Sequence, residues 1–106
     1  MFGRQVTLKL KNNSAEELNR IVETEILPIL RRQKGFRDET IFIAPERMEA
    51  VANSIWDTKA DAAAYDHTAY PEVLKALSNV IDGTPIVKNF EFASATFPQV
   101  AASRLV

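Results

Sequence analysis

The sequence contains no cysteine. Disulfides, thiolate metal sites and thiol nucleophiles are thereby excluded. Histidine is nearly as scarce: His67 is the single one, so one subunit cannot assemble a metal site from several imidazoles. No metal and no cofactor are expected. No apolar run is long enough to span a bilayer, and Met1–Gly3 opens no signal-peptide pattern. A cytoplasmic protein with no membrane partner is the expectation. An excess of basic charge is missing too. The 13 Lys+Arg are set against 14 Asp+Glu for a net charge of −1, with the signs interspersed, so nucleic acid is not an expected partner. Repeats, low-complexity tracts and linkers are absent. What is left is a chain of 106 residues, 46% hydrophobic and 25% charged, which suits one globular domain that buries a core without staples.

Strict alternation from Arg4 to Lys11, with Val6, Leu8 and Leu10 on one side, predicts a half-buried strand. Asn12 and Asn13 supply a turn. Ser14 and Glu17 have capping-box spacing, and Leu18, Ile21, Val22, Ile26, Ile29 and Leu30 give the helix its apolar stripe. Pro28 lies inside that helix, where it removes an N–H and presses on the preceding turn, so a kink or a new helical turn is expected near Glu25–Leu27. Glu25 should be exposed there. Gly35 suits a helix exit, and Arg31, Arg32 and Lys34 favour the negative helix end.

Phe36–Ala44 and Met48–Asp57 predict two strands joined through Pro45, Glu46 and Arg47 as a hairpin. A second helical region runs from Lys59 to about Ile81 and is split at Tyr70–Pro71, because the residue before proline avoids helical dihedrals. Pro85–Phe97 predicts the fourth strand. Residues 1–97 make the domain, and residues 98–106 form a tail expected to contact a partner subunit.

The order β-α-β-β-α-β predicts a ferredoxin-like α+β fold. Its four-stranded antiparallel sheet carries two helices on one face, with the first and third strands central. Whether Ile41 or Phe42, and Ile55 or Trp56, faces away from the helices, the other face is too apolar to stand in water. Two such faces packed together give a homodimer.

The stretch from Asn53 to Leu77 gathers the polar-tipped aromatic chemistry: Trp56, Tyr65, His67 and Tyr70. Thr58 is an N-cap with Asp61 three residues on. Ala60, Ala63, Ala64 and His67 then share one helical stripe. If these small residues face the sheet they leave a hollow, with His67 pointing into it. Its ordinary pKa suits a general base; the alternative is a core histidine satisfied by a backbone or tyrosine partner. Trp56 either stacks on a ligand or plugs the core where strand meets helix. Asn53 lies on the opposite strand face and would join Trp56 only across a bulge or at a dimer seam. Tyr65 and Tyr70 are expected at the rim. Arg4 and Arg37 are carboxylate binders or solvated strand-end residues.

The stretches QKGFRDETIFIAPE and SIWDTKADAAAYDH resemble those of the dimeric α/β barrel superfamily, and within it the antibiotic biosynthesis monooxygenase (ABM)-like group, over roughly residues 4–97. The resemblance implies a pocket between sheet and helices in which Asn53, Trp56, Tyr65 and His67 polarise a phenolic substrate. Many such proteins have a histidine where this chain has Tyr65. Haem-degrading members place theirs near Lys75, which is no neutral ligand at pH 7, so haem is not implied. The expected function is a cofactor-independent monooxygenase or isomerase acting on a small aromatic or enolisable compound. His67 would be catalytic, with Trp56, Asn53, Tyr65 and Tyr70 binding the substrate. The alternative is a non-catalytic small-molecule-binding or stress-associated homodimer.

Overall fold

The structure, a computed structural model, describes residues 1–44, 46 and 48–93. Its elements are β1 (Phe2–Lys9), α1 (Ala15–Ile21), a π-helical turn (Val22–Ile26), α2 (Leu27–Arg31), β2 (Phe36–Ala44), β3 (Glu49–Trp56), α3 (Lys59–Thr68), α4 (Tyr70–Leu77) and β4 (Ile86–Glu91). The sheet has four antiparallel strands in the order β2-β3-β1-β4. This is the expected ferredoxin-like arrangement with the first and third strands central. Along β1, Phe2, Arg4, Val6 and Leu8 are buried beneath the helices. Leu18, Ile21, Val22, Ile26 and Leu30 cover them from one side, and Val73 and Leu77 of α4 from the other.

Pro28 has the anticipated effect. It stands in the first turn of α2, where its missing N–H costs nothing, and the chain before it is drawn into the wider π turn. Tyr70–Pro71 likewise divides α3 from α4, and Asn13 takes the left-handed conformation at φ 58° that the turn before α1 requires. Thr58 caps α3 by accepting from the Asp61 N–H at 3.1 Å. Ser14 does not form the expected capping box: its hydroxyl donates to the Asn12 carbonyl at 3.4 Å, while Glu17 is held by Arg20. The short solvent-side ion pair outcompetes the reach back to the cap.

Two expectations about α3 and β4 are corrected. The face of α3 turned to the core carries Ala62 and Tyr65, with Ala69 following, whereas Ala60, Ala63, Ala64 and His67 are exposed. Three alanines bury too little area to set a helix's rotation against one tyrosine, whose ring brings on the order of 150–250 Å². β4 ends at Glu91, short of the expected Phe97, of which residues beyond Ala93 lie outside the described ones. The tail 98–106 and its expected contact with a partner lie outside them as well. Among the described residues no helix is long and apolar enough to cross a membrane.

Candidate functional site

The interior of this protein contains a charge. Arg4 alternates with Val6 and Leu8 on β1 and is therefore carried under the helices, where it is 4% exposed. A guanidinium there has to be compensated. Asp66 on α3, itself 47% exposed, accepts from Nη2 at 2.5 Å. The Tyr70 ring lies 4.1 Å from the guanidinium carbon and the Tyr65 ring 5.3 Å, both within range for cation–π attraction. Tyr65 also stacks on Trp56, with centroids 5.0 Å apart. The Trp56 indole N–H donates to Ser54 Oγ at 2.9 Å, and that hydroxyl donates to the Arg4 carbonyl at 3.4 Å. Fully buried and edge-on to Phe36, Trp56 is a core plug that holds Tyr65 and Ser54 in place.

A carboxyl joins this group because of an irregularity in β2. Phe36 opposes Trp56, but Asp38 opposes Ile55, so Arg37 is an extra residue in the strand. Without it, Asp38 would stand opposite Ser54; with it, Glu39 does. Re-aiming a side chain is a common consequence of a β-bulge. Because Ser54 in turn opposes Arg4, Glu39, Ser54 and Arg4 form one transverse row on the helix-facing side. Desolvation pushes the Glu39 carboxyl up to about 8; Arg4 opposes that rise and Asp38 adds to it. Burial likewise raises the Tyr65 and Tyr70 hydroxyls above their ordinary value, again against the pull of Arg4. The phenols therefore stay protonated donors at neutral pH.

Above this row lies a partly enclosed cavity. Its polar end is Arg4, Glu39, Ser54, Tyr65 and Tyr70; its walls are aliphatic, among them Val6, Leu8, Leu18, Val22, Ile26, Leu30, Ile41 and Leu77. The cavity has a volume of about 40 Å³, within a void of about 470 Å³ that opens to solvent. That room exceeds what a single water needs, roughly 10–15 Å³ on the same measure. Chemically, the polar end sets a cation and phenolic donors at one side of a space whose other walls are hydrocarbon.

The residues singled out from the sequence divide among three places. Tyr65 and Tyr70 line the cavity, Tyr65 deeper than the rim position expected for it. Trp56 supports the site from behind. Asn53 belongs to the other sheet face, where its Oδ1 accepts from Gln5 Nε2 at 3.1 Å. The orientation expected of His67 is overturned, since the residue is exposed on α3 and does not line the cavity. Arg37 is exposed and paired with Asp57. Arg4 and Glu39 are the residues that sequence reasoning underweighted or missed. The signal for Glu39 was a change of phase in β2: Phe36 faces the core on even numbers, Ile41 and Ile43 on odd ones. Among the described residues, no three acidic or histidine side chains are grouped to hold a metal ion.

No sequence-family model and no curated protein matches the chain. Solved structures do resemble it. A monooxygenase from the ActVA-Orf6 gene of Streptomyces coelicolor, in complex with nanaomycin D, superposes with a TM-score of 0.75 at 17% identity, over 92% of each chain. SnoaB, a cofactor-independent oxygenase from Streptomyces nogalater, gives 0.69 at 18% identity, over 92% of this chain and 97% of its own. A candidate antibiotic biosynthesis monooxygenase from Nitrosomonas europaea gives 0.71 at 17% identity, over 89% of this chain and 100% of its own. In its βαββαβ order and strand arrangement, this chain has the fold of the antibiotic biosynthesis monooxygenase-like proteins.

Proposed function

We propose that the cavity over β1 and β3 binds a small, flat, largely apolar molecule with one acidic oxygen, a phenol or an enol. The protein would act on it as a cofactor-independent oxygenase or isomerase. The observation that carries this reading is the buried Arg4 guanidinium at one end of an otherwise hydrocarbon-lined cavity. Arg4 gives one N–H to Asp66 and also bonds Tyr70, and a guanidinium has five N–H donors in all with which to meet a ligand. An ionised oxygen placed there gains charge-assisted hydrogen bonds in a poorly solvated setting, which favours the phenolate or enolate over its neutral acid. Such electron-rich anions are the forms that react with dioxygen or relocate a proton. The shared fold with oxygenases from Streptomyces supports the oxygenase arm. Binding without turnover is the second reading, favoured by the absence of His67, the base expected from the sequence, from the cavity lining.

The test uses naphthalene-1,4-diol, with binding followed by saturation-transfer NMR and turnover by oxygen uptake. Wild-type protein should bind it, and Arg4→Met should weaken binding by about 10- to 100-fold, the value of hydrogen bonds to a charged group. Oxygen uptake above the blank identifies an oxygenase; binding without uptake leaves an isomerase or a binder. If Arg4→Met folds and binds as well as wild type, the reading is wrong.

A homodimer belongs to the same reading. The sheet face opposite the helices exposes Phe42 (63%), Ile86 (60%) and Phe90 (50%). Around them lie Thr7, Thr40, Gln5 and Asn53, and one cation, Lys88, stands between Ile86 and Phe90 opposite Gln5; its long stem lets the ammonium reach the rim of a paired face. We propose that this face packs against itself in a second copy.

A further inference from the structure

We infer that Glu39 is the proton-transferring residue of this cavity, working against Arg4 on an enolisable ketone with a flat hydrocarbon body. The inference rests on the reading of the cavity as a ligand site and deepens it by naming the acid–base group and the substrate class.

Glu39 and Arg4 lie in one row across the sheet with Ser54 between them. Adjacent strands are ~4.8 Å apart, so the two backbones are separated by about 10 Å. Ser54 is small, and its hydroxyl is already engaged by Trp56 and the Arg4 carbonyl. It leaves the space between the carboxyl and the guanidinium open to the cavity that both residues line. A carbonyl oxygen resting on Arg4 therefore places the carbon next to that carbonyl toward Glu39. The bulge at Arg37 is what brings a carboxyl to this spot, and a strand without it would present Asp38 instead.

The step balances without any co-reactant. A Glu39 carboxylate oxygen takes the α-hydrogen of the ketone as a proton. The C–H electron pair becomes part of a C=C bond, and the carbonyl π pair moves onto oxygen as an enolate held by Arg4, with Tyr65 and Tyr70 as further donors. The Glu39 carboxylic acid then returns the proton to carbon, at the same position or at the γ-carbon of an unsaturated ketone. Nothing is oxidised or reduced. The charged and titratable groups around Glu39 are Arg4 from β1, Asp38 beside it on β2, Tyr65 from α3 and Tyr70 from α4. Asp66 reaches Arg4 from the rim, and the α1–α2 side contributes only aliphatic walls. A carboxyl poised near 8 in such a setting is matched to proton transfer at neutral pH.

The experiment follows deuterium incorporation beside the carbonyl of 2-tetralone in D2O by NMR, with binding measured in parallel by saturation transfer. Wild-type protein should accelerate exchange over the buffer blank, with a rate that rises with pH to half its plateau near the Glu39 value of about 8. Glu39→Gln keeps the shape of the protonated acid, so it should fold and bind but lose about 100-fold or more of the exchange rate together with the pH profile. Glu39→Asp should retain the profile at a reduced rate. Exchange that survives in Glu39→Gln, or wild-type binding without exchange, overturns the inference and leaves the ligand cavity standing. Failure of wild-type protein to bind 2-tetralone overturns the proposed substrate class, while the naphthalenediol experiment separately decides the cavity reading.

Discussion

Burial at Glu39 gives the whole fold a pH dependence. Its carboxyl is raised from 4.5 to about 8 in the folded chain, chiefly by desolvation. Between those values the folded state holds a proton that the unfolded state has lost, so stability falls as pH rises. The contribution is complete below the unfolded value and gone above about 8. Urea midpoints measured from about pH 5 to about pH 9 should therefore decline in wild type, with the part of the decline owed to this group missing in Glu39→Gln. His67 makes the opposite case. Exposed on α3, it should tolerate His67→Ala within about 0.5 kcal/mol by urea denaturation, whereas an inward histidine would have been missed far more. Trp56 was legible as a plug because a lone large ring at the end of a strand has few other places to go. Arg4 was not, since nothing in local sequence says that Asp66, sixty-two positions away, will supply its counter-charge.

Segments with strong local punctuation could be read directly. Pro28, Tyr70–Pro71, Thr58 and Gly35 each act through backbone constraints that are independent of distant contacts, and the helix breaks and the α3 cap appear where those residues put them. The rotation of α3 and the bulge of β2 could not be read that way. Both depend on which side chain wins a place in the core, and an alanine-rich helix states no preference until Tyr65 is docked on Trp56. Gly35 is the sharpest test of the punctuation. Its φ is +81°, and a Cβ built there would lie 2.1 Å from Asp61 Oδ2 and 2.7 Å from Asp61 Cβ. Gly35→Ala should destabilise by about 1–3 kcal/mol from left-handed strain alone, with the clash adding to it by pushing on the first turn of α3. A thermal midpoint equal to that of wild type would show that the α2–β2 connection is not constrained in this way.

At the scale of the molecule, the open sheet face is where we propose that a second copy packs. Sedimentation at micromolar concentration should give twice the 11.9 kDa chain mass, and Phe90→Glu should return a folded monomer, because Phe90 is already half exposed in the isolated subunit and contributes little to its core. A wild-type monomer would sink the proposal. One further consequence follows from how the cavity is walled. Its lining residues come from β1, β2, β3, every helix and the π turn, but none comes from β4. β4 is also an edge strand that pairs only with β1 and has every residue exposed. Amide hydrogens of β4 should exchange with solvent through local opening that a cavity ligand leaves untouched. Those of β1 paired to β3 should slow by the full factor set by ligand concentration over its dissociation constant. The chain then carries its own internal reference, with a border between ligand-sensitive and ligand-blind amides running along β1, one edge of the strand on each side.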